Sequence, residues 1–270
     1  MAIPLRSPAE IERVAMAGDL LWQVLQQAIE RVRPGLTGVD LDRLITTALN
    51  QHAADPVLRR VRNERGEAFP AACCLNVNDS VAHTPPSERP LAVGDLVSLD
   101  LSVALSGWHA DACRAVVVGR PDLDPSESSR SSSEAVELVA AAGRVLQAGI
   151  AACHPGRMWS EVARRVRDEA TRAGVRLVPG LGGHGIGRAL HEPPLAWLAP
   201  PGPDFRLTPG MILTLEPVVT LGSGKTRTGE DGWSILADDG RWGACEERTI
   251  AITPGGARVL TGPGLGPAQP

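Results

Sequence analysis

Two histidines, His184 and His191, stand seven residues apart in GLGGHGIGRALHEPP, residues 180–194, a run with little side-chain bulk that ends on two prolines. Imidazoles in such a setting can ligate a cation, move a proton or sit beside a phosphate. The phosphate reading is invited by Gly180-x-Gly182-x-x-Gly185, the spacing of a dinucleotide loop. Its context is wrong: that loop opens a helix, and Pro193-Pro194 cuts the chain too soon.

Four acids sit where the sequence pattern buries them. In GDLVSLDLSVALSGWHADACRAVVVG, Val97, Leu99, Leu101 and Val103 alternate with Ser98, Asp100 and Ser102, which predicts a strand, a turn near Ser106-Gly107 and a return strand. The hairpin is expected to set Asp111 close to the cross-strand partner of Asp100. Glu216 interrupts ILTLEPVV, and Glu247 lies in ACEERTIAI, where Glu246 and Arg248 are expected to face water. Buried carboxylates that share a face need a cation or a donor. Each acid alone could instead pair with an arginine or cap a turn. The flanking strands offer only Arg114 and Arg248 for that purpose. An oxygen-rich set with one imidazole suits Mn, Fe(II) or Co better than a thiolate zinc site.

The elements that must carry these residues recur. Residues 8–31 predict a helix capped by Ser7, Pro34-Gly35 breaks it, and a second helix follows Thr37. After a Ser-rich stretch, residues 134–152 predict another helix, His154-Pro155-Gly156 breaks it, and a fourth runs to Gly174. Each helix pair leads into strands. This predicts one 1–270 unit of two related halves, 8–120 and 134–255, with a linker at 121–133 and a disordered tail at 256–270. A net charge of −4 gives no field for nucleic acid or an anionic membrane. No secretory signal is evident, and five cysteines without Cys-x-x-Cys argue against a disulfide framework and against thiolate zinc. A cytoplasmic protein is expected.

With these segments in view, the chain resembles the type I methionine aminopeptidases of the pita-bread metallopeptidase fold. SPAEIERVAMAGDLLWQVLQQ and RPGLTGVDLDRL are similar to the family's opening helices, and LNVNDSVAHTPP to its first histidine segment. GDLVSLDLSVALSGWHAD, GGHGIGRALHEPP, GMILTLEPVV and DGWSILADDGRWGACEERTIAIT match its ligand segments. The resemblance implies an α+β fold: a pseudo-two-fold pair of helix-helix-strand halves, with a curved, mainly antiparallel sheet and helices on its outer face. It implies that Asp100, Asp111, His184, Glu216 and Glu247 bind two divalent ions (Mn, Fe(II) or Co, with Zn as the alternative), Asp111 and Glu247 bridging. Between the adjacent acids, Glu247 is chosen because it shares a face with Cys245 and Thr249 and directly precedes the basic-Thr-Ile run.

The implied reaction removes methionine from nascent polypeptide N-termini with a small second residue, through a metal-bridging water. Glu216 would be the general base, His191 would stabilise the oxyanion, and His83 would contact the leaving amide nitrogen. Phe69, Cys74, Leu190 and Trp233 would line the methionine pocket, Cys74 being equally readable as a plain buried thiol. His109 is expected to point away from the site, and His52 and His154 to sit at the surface or in turns. The implied partner is the nascent chain, with the ribosome as a candidate contact; a monomer with no membrane or nucleic-acid role is expected.

The pattern also departs from the family. NERGE replaces an aromatic-rich segment, Leu190 stands at a usually aromatic position, HTPP and HEPP replace the family's usual residues, and Ala112 replaces a hydroxyl. Broader first-residue selection, or an impaired paralogue acting as a peptide- or protein-binding module, are therefore competing expectations. Proline-specific relatives normally carry an additional N-terminal domain, and with Asp100 at this position none is expected here.

Overall fold

The computed structural model describes residues 2–119 and 130–263. Helix α1, Pro8–Ile29, starts where Ser7 accepts from the Glu10 backbone N–H while the Glu10 carboxylate takes the Ser7 N–H. Thr37 and Asp40 repeat that reciprocal cap on α2, Gly38–Gln51. The same order returns as α3, Arg130–Ala152, and α4, Trp159–Arg172.

The repeat extends to individual hydrogen bonds. Gly35 N–H donates to the Leu91 carbonyl at 2.8 Å, and Leu91 N–H donates back to Leu36 at 2.8 Å. Gly156 and Leu207 do the same at 2.7 Å, answered by Leu207 N–H on Arg157 at 2.8 Å. Both interhelix glycines need positive φ, +82° and +86°. Each helix pair is thus tied to the segment that leads into its central strand.

That strand is Leu96–Leu105 in the first half, flanked by Trp108–Val117 on one edge and by Cys73–Val77 and Asp55–Pro56 on the other. A two-residue turn at Ser106-Gly107, both with positive φ, closes the hairpin. Its register sets Asp100 opposite Cys113, and Asp111 opposite Ser102, one same-face step away. The expected nearness of the two acids therefore holds as a diagonal. In the second half Ile212–Leu215 lies between Arg248–Thr253 and Gly182–Gly185, and the outer strands of that five-stranded sheet are Gly256–Val259 and Glu192–Trp197. Two three-stranded sheets complete the fold, and every pairing is antiparallel.

The helices bury their apolar stripes on these sheets. Leu21, Leu25, Leu41, Ile45 and Leu49 pack with Leu99 and Leu101, while Leu138, Val145, Val162 and Val166 pack with Leu213, Leu215 and Ile250. Each such side chain contributes about 1.5–3 kcal/mol relative to exposure. Ser133–Ala152 is the one described helix long and apolar enough to cross a membrane by length and composition; half of it is buried, against α4 and the sheets.

Two expectations on boundaries change. Residues 130–133 belong to α3 rather than to the linker, and 120–129 lie outside the described residues. The expected tail is ordered at its start: Gly256–Val259 pairs with Arg248–Thr253, and Leu260 and Thr261 are buried. The run ARVL supplies strand and core side chains that its glycine-rich surroundings concealed; residues 264–270 lie outside the described residues. The Gly180–Gly185 segment includes the strand Gly182–Gly185, which rules out a helix-opening phosphate loop.

Candidate active site

The two predicted acid-bearing strands of the second half are each interrupted at the acid. Ile212–Leu215 and Val218–Thr220 are separate strands in separate sheets, and so are Arg248–Thr253 and Gly243–Cys245. Pro217, which has no N–H for a ladder, lies at the first break. The breaks present Glu216 and Glu247 to a cavity of about 310 Å³ that Asp100, Ser102, Asp111 and His184 also line.

The ligand atoms of Asp111, His184 and Glu247 all lie within 4.8 Å of one another, and all three residues are buried. His184 Nε2 is 3.9 Å from Asp111 Oδ2 and 3.7 Å from Glu216 Oε1. Both separations are too long for hydrogen bonds and short enough for a shared cation. His184 Nδ1 is 2.9 Å from the Gly185 carbonyl, which assigns its proton there and leaves the Nε2 lone pair facing the acids. Glycine permits this close packing: a Cβ at Gly183 would lie 2.1 Å from the Thr214 carbonyl oxygen.

Neutral hydroxyls orient the acids. Ser102 donates to Asp111 Oδ1 at 2.8 Å, and Thr214 donates to Glu216 Oε1 at 2.8 Å while accepting the His184 N–H at 2.9 Å. Thr249 Oγ1 bridges the Asp111 backbone, accepting its N–H at 3.0 Å and donating to its carbonyl at 2.8 Å. Thr261, in turn, accepts the Thr249 N–H at 2.9 Å.

Among the described residues no arginine neutralises the cluster. Arg114 donates to Gln26, and Arg248 donates to Glu246 and to the carbonyls of Cys113 and Glu247. Glu247 Oε1 is buried without a hydrogen-bond partner. Burial pushes Asp100 up to about 7 and Glu216 up to about 8. Burial, then repulsion from neighbouring acids, raises Asp111 and Glu247 well above the carboxylate range. Burial, followed by the nearby His191, holds His184 down at about 4, so it is neutral near pH 7. Four acids held out of their charged forms around a neutral imidazole make a donor set suited to a divalent cation.

His191 lies over this cluster, its ring centroid 4.4 Å from that of His184, and His83 lines the same cavity with positive φ, +55°. The wall carries Phe69 and Trp233, packed edge to face at 5.0 Å, with Cys74 and Leu190 beside them. Thus the structure brings all eleven residues singled out from the sequence to one cavity.

Some expected orientations differ. Glu246 is buried, accepting the Ala115 N–H at 3.0 Å, and Arg248 lies over the Trp22 ring at 4.3 Å; the ion pair between them makes burial tolerable. His109 shares strand parity with Asp111, but it bonds the Gly187 carbonyl at 3.1 Å and does not line the cavity. His52 caps the end of α2 and His154 is exposed.

Other cavity and supporting residues escaped the sequence reading. Leu58 and Val61 reach the cavity from and just beyond the 3₁₀ turn Val57–Arg60, and Leu195 from the strand after His191. A lone apolar residue in an arginine-rich segment gives no such signal. Thr214, two residues from Glu216, could have been found by parity, the rule that already set Thr249 on the face of Glu247.

Residues 12–254 match metallopeptidase family M24. The chain is 34% identical over 260 residues to a methionine aminopeptidase of Clostridium perfringens, covering 96% of this chain and 98% of that protein. It is 35% identical over 270 residues to methionine aminopeptidase 1 of Mycobacterium tuberculosis, covering 96% and 95%. The solved methionine aminopeptidase of Thermotoga maritima superposes with a TM-score of 0.86 at 30% identity, covering 97% of this chain and 100% of that one. The prolidase of Pyrococcus horikoshii shares the fold at a TM-score of 0.71 and 19% identity, with 96% of this chain and 63% of that one covered. The chain belongs to metallopeptidase family M24, with the pita-bread α+β fold of its methionine aminopeptidases.

Proposed function

We propose that this chain is a metal-dependent aminopeptidase that removes the N-terminal methionine from nascent polypeptides with a small second residue. The observation that carries this reading is that Asp100, Asp111, His184, Glu216 and Glu247, without a pairing arginine among the described residues, line one cavity with Phe69 and Trp233. Asp111 and Glu247 would be shared by two divalent ions, with Asp100 on one, and His184 and Glu216 on the other. The donor set favours Mn, Fe(II) or Co over Zn.

Bound divalent ions supply Lewis acidity, which activates water and polarises the scissile carbonyl. Glu216, tethered by Thr214, takes the proton released in the attack and passes it on. His191 donates to the carbonyl oxygen as charge develops there. His83 faces the same space and contacts the amide nitrogen of the leaving chain. Cys74, Leu190, Phe69 and Trp233 enclose the first side chain. A cytoplasmic monomer, with the ribosome as its candidate docking partner, would meet nascent chains.

A second reading, broader first-residue selection, is favoured by one observation: Leu58, Val61, Leu190 and Leu195 give the cavity an aliphatic side. Release of the first residue from a panel of X-Ala-Ser tripeptides, with Mn or Co present and then chelated, separates the readings. Metal-dependent release confined to X = Met supports the first, and release of several apolar residues the second. A metal-loaded protein that releases nothing overturns both.

A further inference from the structure

His191 projects from a tight loop, residues 187–192, whose shape depends on the carboxylate beside it. Glu192 Oε1 accepts the N–H of Arg188 at 2.7 Å and of Ala189 at 3.1 Å, so the side chain folds back over the loop that precedes it. Glu192 Oε2 takes Arg6 Nη2 at 2.5 Å, and both side chains are largely buried, 12% and 14% exposed. Arg6 comes from the segment ahead of α1, and its Nε is buried without a partner.

Arg6 is itself fixed by backbone. Its N–H donates to the Gly210 carbonyl at 2.7 Å, in the turn before the strand that leads to Thr214 and Glu216. A Cβ at Gly187 would lie 3.0 Å from Arg6 Nη2, so the loop packs directly on the guanidinium. Trp108 completes the support, with Arg6 Cζ at 5.6 Å and Arg188 Cζ at 3.9 Å from its ring centroid.

We infer that Arg6 is a positioning residue for His191, holding it over the metal-ligand cluster through Glu192. A paired, buried carboxylate can clamp two amides; the same carboxylate without its guanidinium would draw in water and release them. Arg6 therefore acts on the reaction without touching substrate. The kinetic part of the test rests on the aminopeptidase reading above.

The test compares Arg6→Met, Arg6→Lys and Glu192→Gln, each made alone and together with His191→Ala, with Mn-dependent release of Met from Met-Ala-Ser as the assay. The expected result for Arg6→Met is a fall in kcat of about tenfold, with KM and Mn affinity within about twofold. Arg6→Lys restores most of that loss, Glu192→Gln reproduces it, and adding Arg6→Met to His191→Ala costs less than about twofold more. An equal loss in both backgrounds, or Mn affinity falling in step with kcat, overturns the assignment. Hydrogen exchange at the Arg188 and Ala189 amides reads the clamp without catalysis. Faster exchange at these amides in Arg6→Met supports it, and unchanged exchange overturns it, even where wild type or His191→Ala releases no methionine.

Discussion

Glu216 stands opposite Glu247 where two neighbouring strands both leave one sheet and enter another. Leu215 pairs with Arg248 before the step and Val218 with Cys245 beyond it, in one unbroken register. The first half supplies a third acid at the matching place in its own repeat, though there the strand Leu96–Leu105 runs on unbroken. Asp100 follows Leu91 by nine residues as Glu216 follows Leu207, and those two leucines make matching bonds to their interhelix turns. Repulsion is built into the position of each acid, and a bound ion relieves it.

Asp100→Asn and Glu247→Gln each remove a charge while keeping the shape. Turnover of Met-Ala-Ser is expected to fall at least ~100-fold for each, with bound metal reduced. Metal analysis of purified protein, beside circular dichroism to confirm the fold, checks this. Full activity in either variant would remove that residue from the ligand set.

Thr214→Val deletes the hydroxyl that joins Glu216 to the His184 backbone. Loss of such an orienting bond lowers metal affinity by ~10–100-fold. Titration of Mn into chelated protein, followed by calorimetry, measures the change.

The metal-free protein is expected to lose stability between about pH 6.5 and 8. Asp100 and Glu216 hold protons more tightly when folded, at about 7 and about 8 against ordinary values of 3.8 and 4.5. The folded state therefore binds more protons than the unfolded chain, and stability falls as pH rises towards those values. His184, about 4 when folded against 6.5, acts in the opposite direction, but only below pH 6.5. Saturating Mn, which needs the deprotonated acids, should abolish the fall. Melting temperatures at pH 6.5 and 8, with and without chelator, decide it; a chelated protein more stable at pH 8 would contradict the assignment.

Thr261→Val leaves the buried Thr249 N–H without its acceptor. The expected cost is about 1–3 kcal/mol, read from the midpoint of urea unfolding. A change within error would mean that the Thr249 amide finds another partner.

The acids were legible because strand alternation marks a carboxylate among buried neighbours as an anomaly, whereas His184 stood out by its glycine-rich setting and its role as a ligand came from the family resemblance. The caps at Ser7 and Thr37 were legible because their rules are local. Register was not: whether Asp100 meets Asp111 or Cys113 depends on a single turn. Glu246 was misjudged because its partners, the Ala115 amide and Arg248, arrive through tertiary packing rather than along its own strand. The Arg6–Glu192 pair spans 186 residues, and no spacing rule reaches that far.

The donors run from Asp100 to Glu247, so synthesis delivers them in instalments. Asp100 and Asp111 belong to the first half, and the His184, Glu216 and Glu247 that close the cavity around them come from the second. These three arrive later, and only their docking buries the group and unsettles its charges. An unfinished chain therefore lacks both the grip on metal and the means to act. The full donor set exists only where both halves meet.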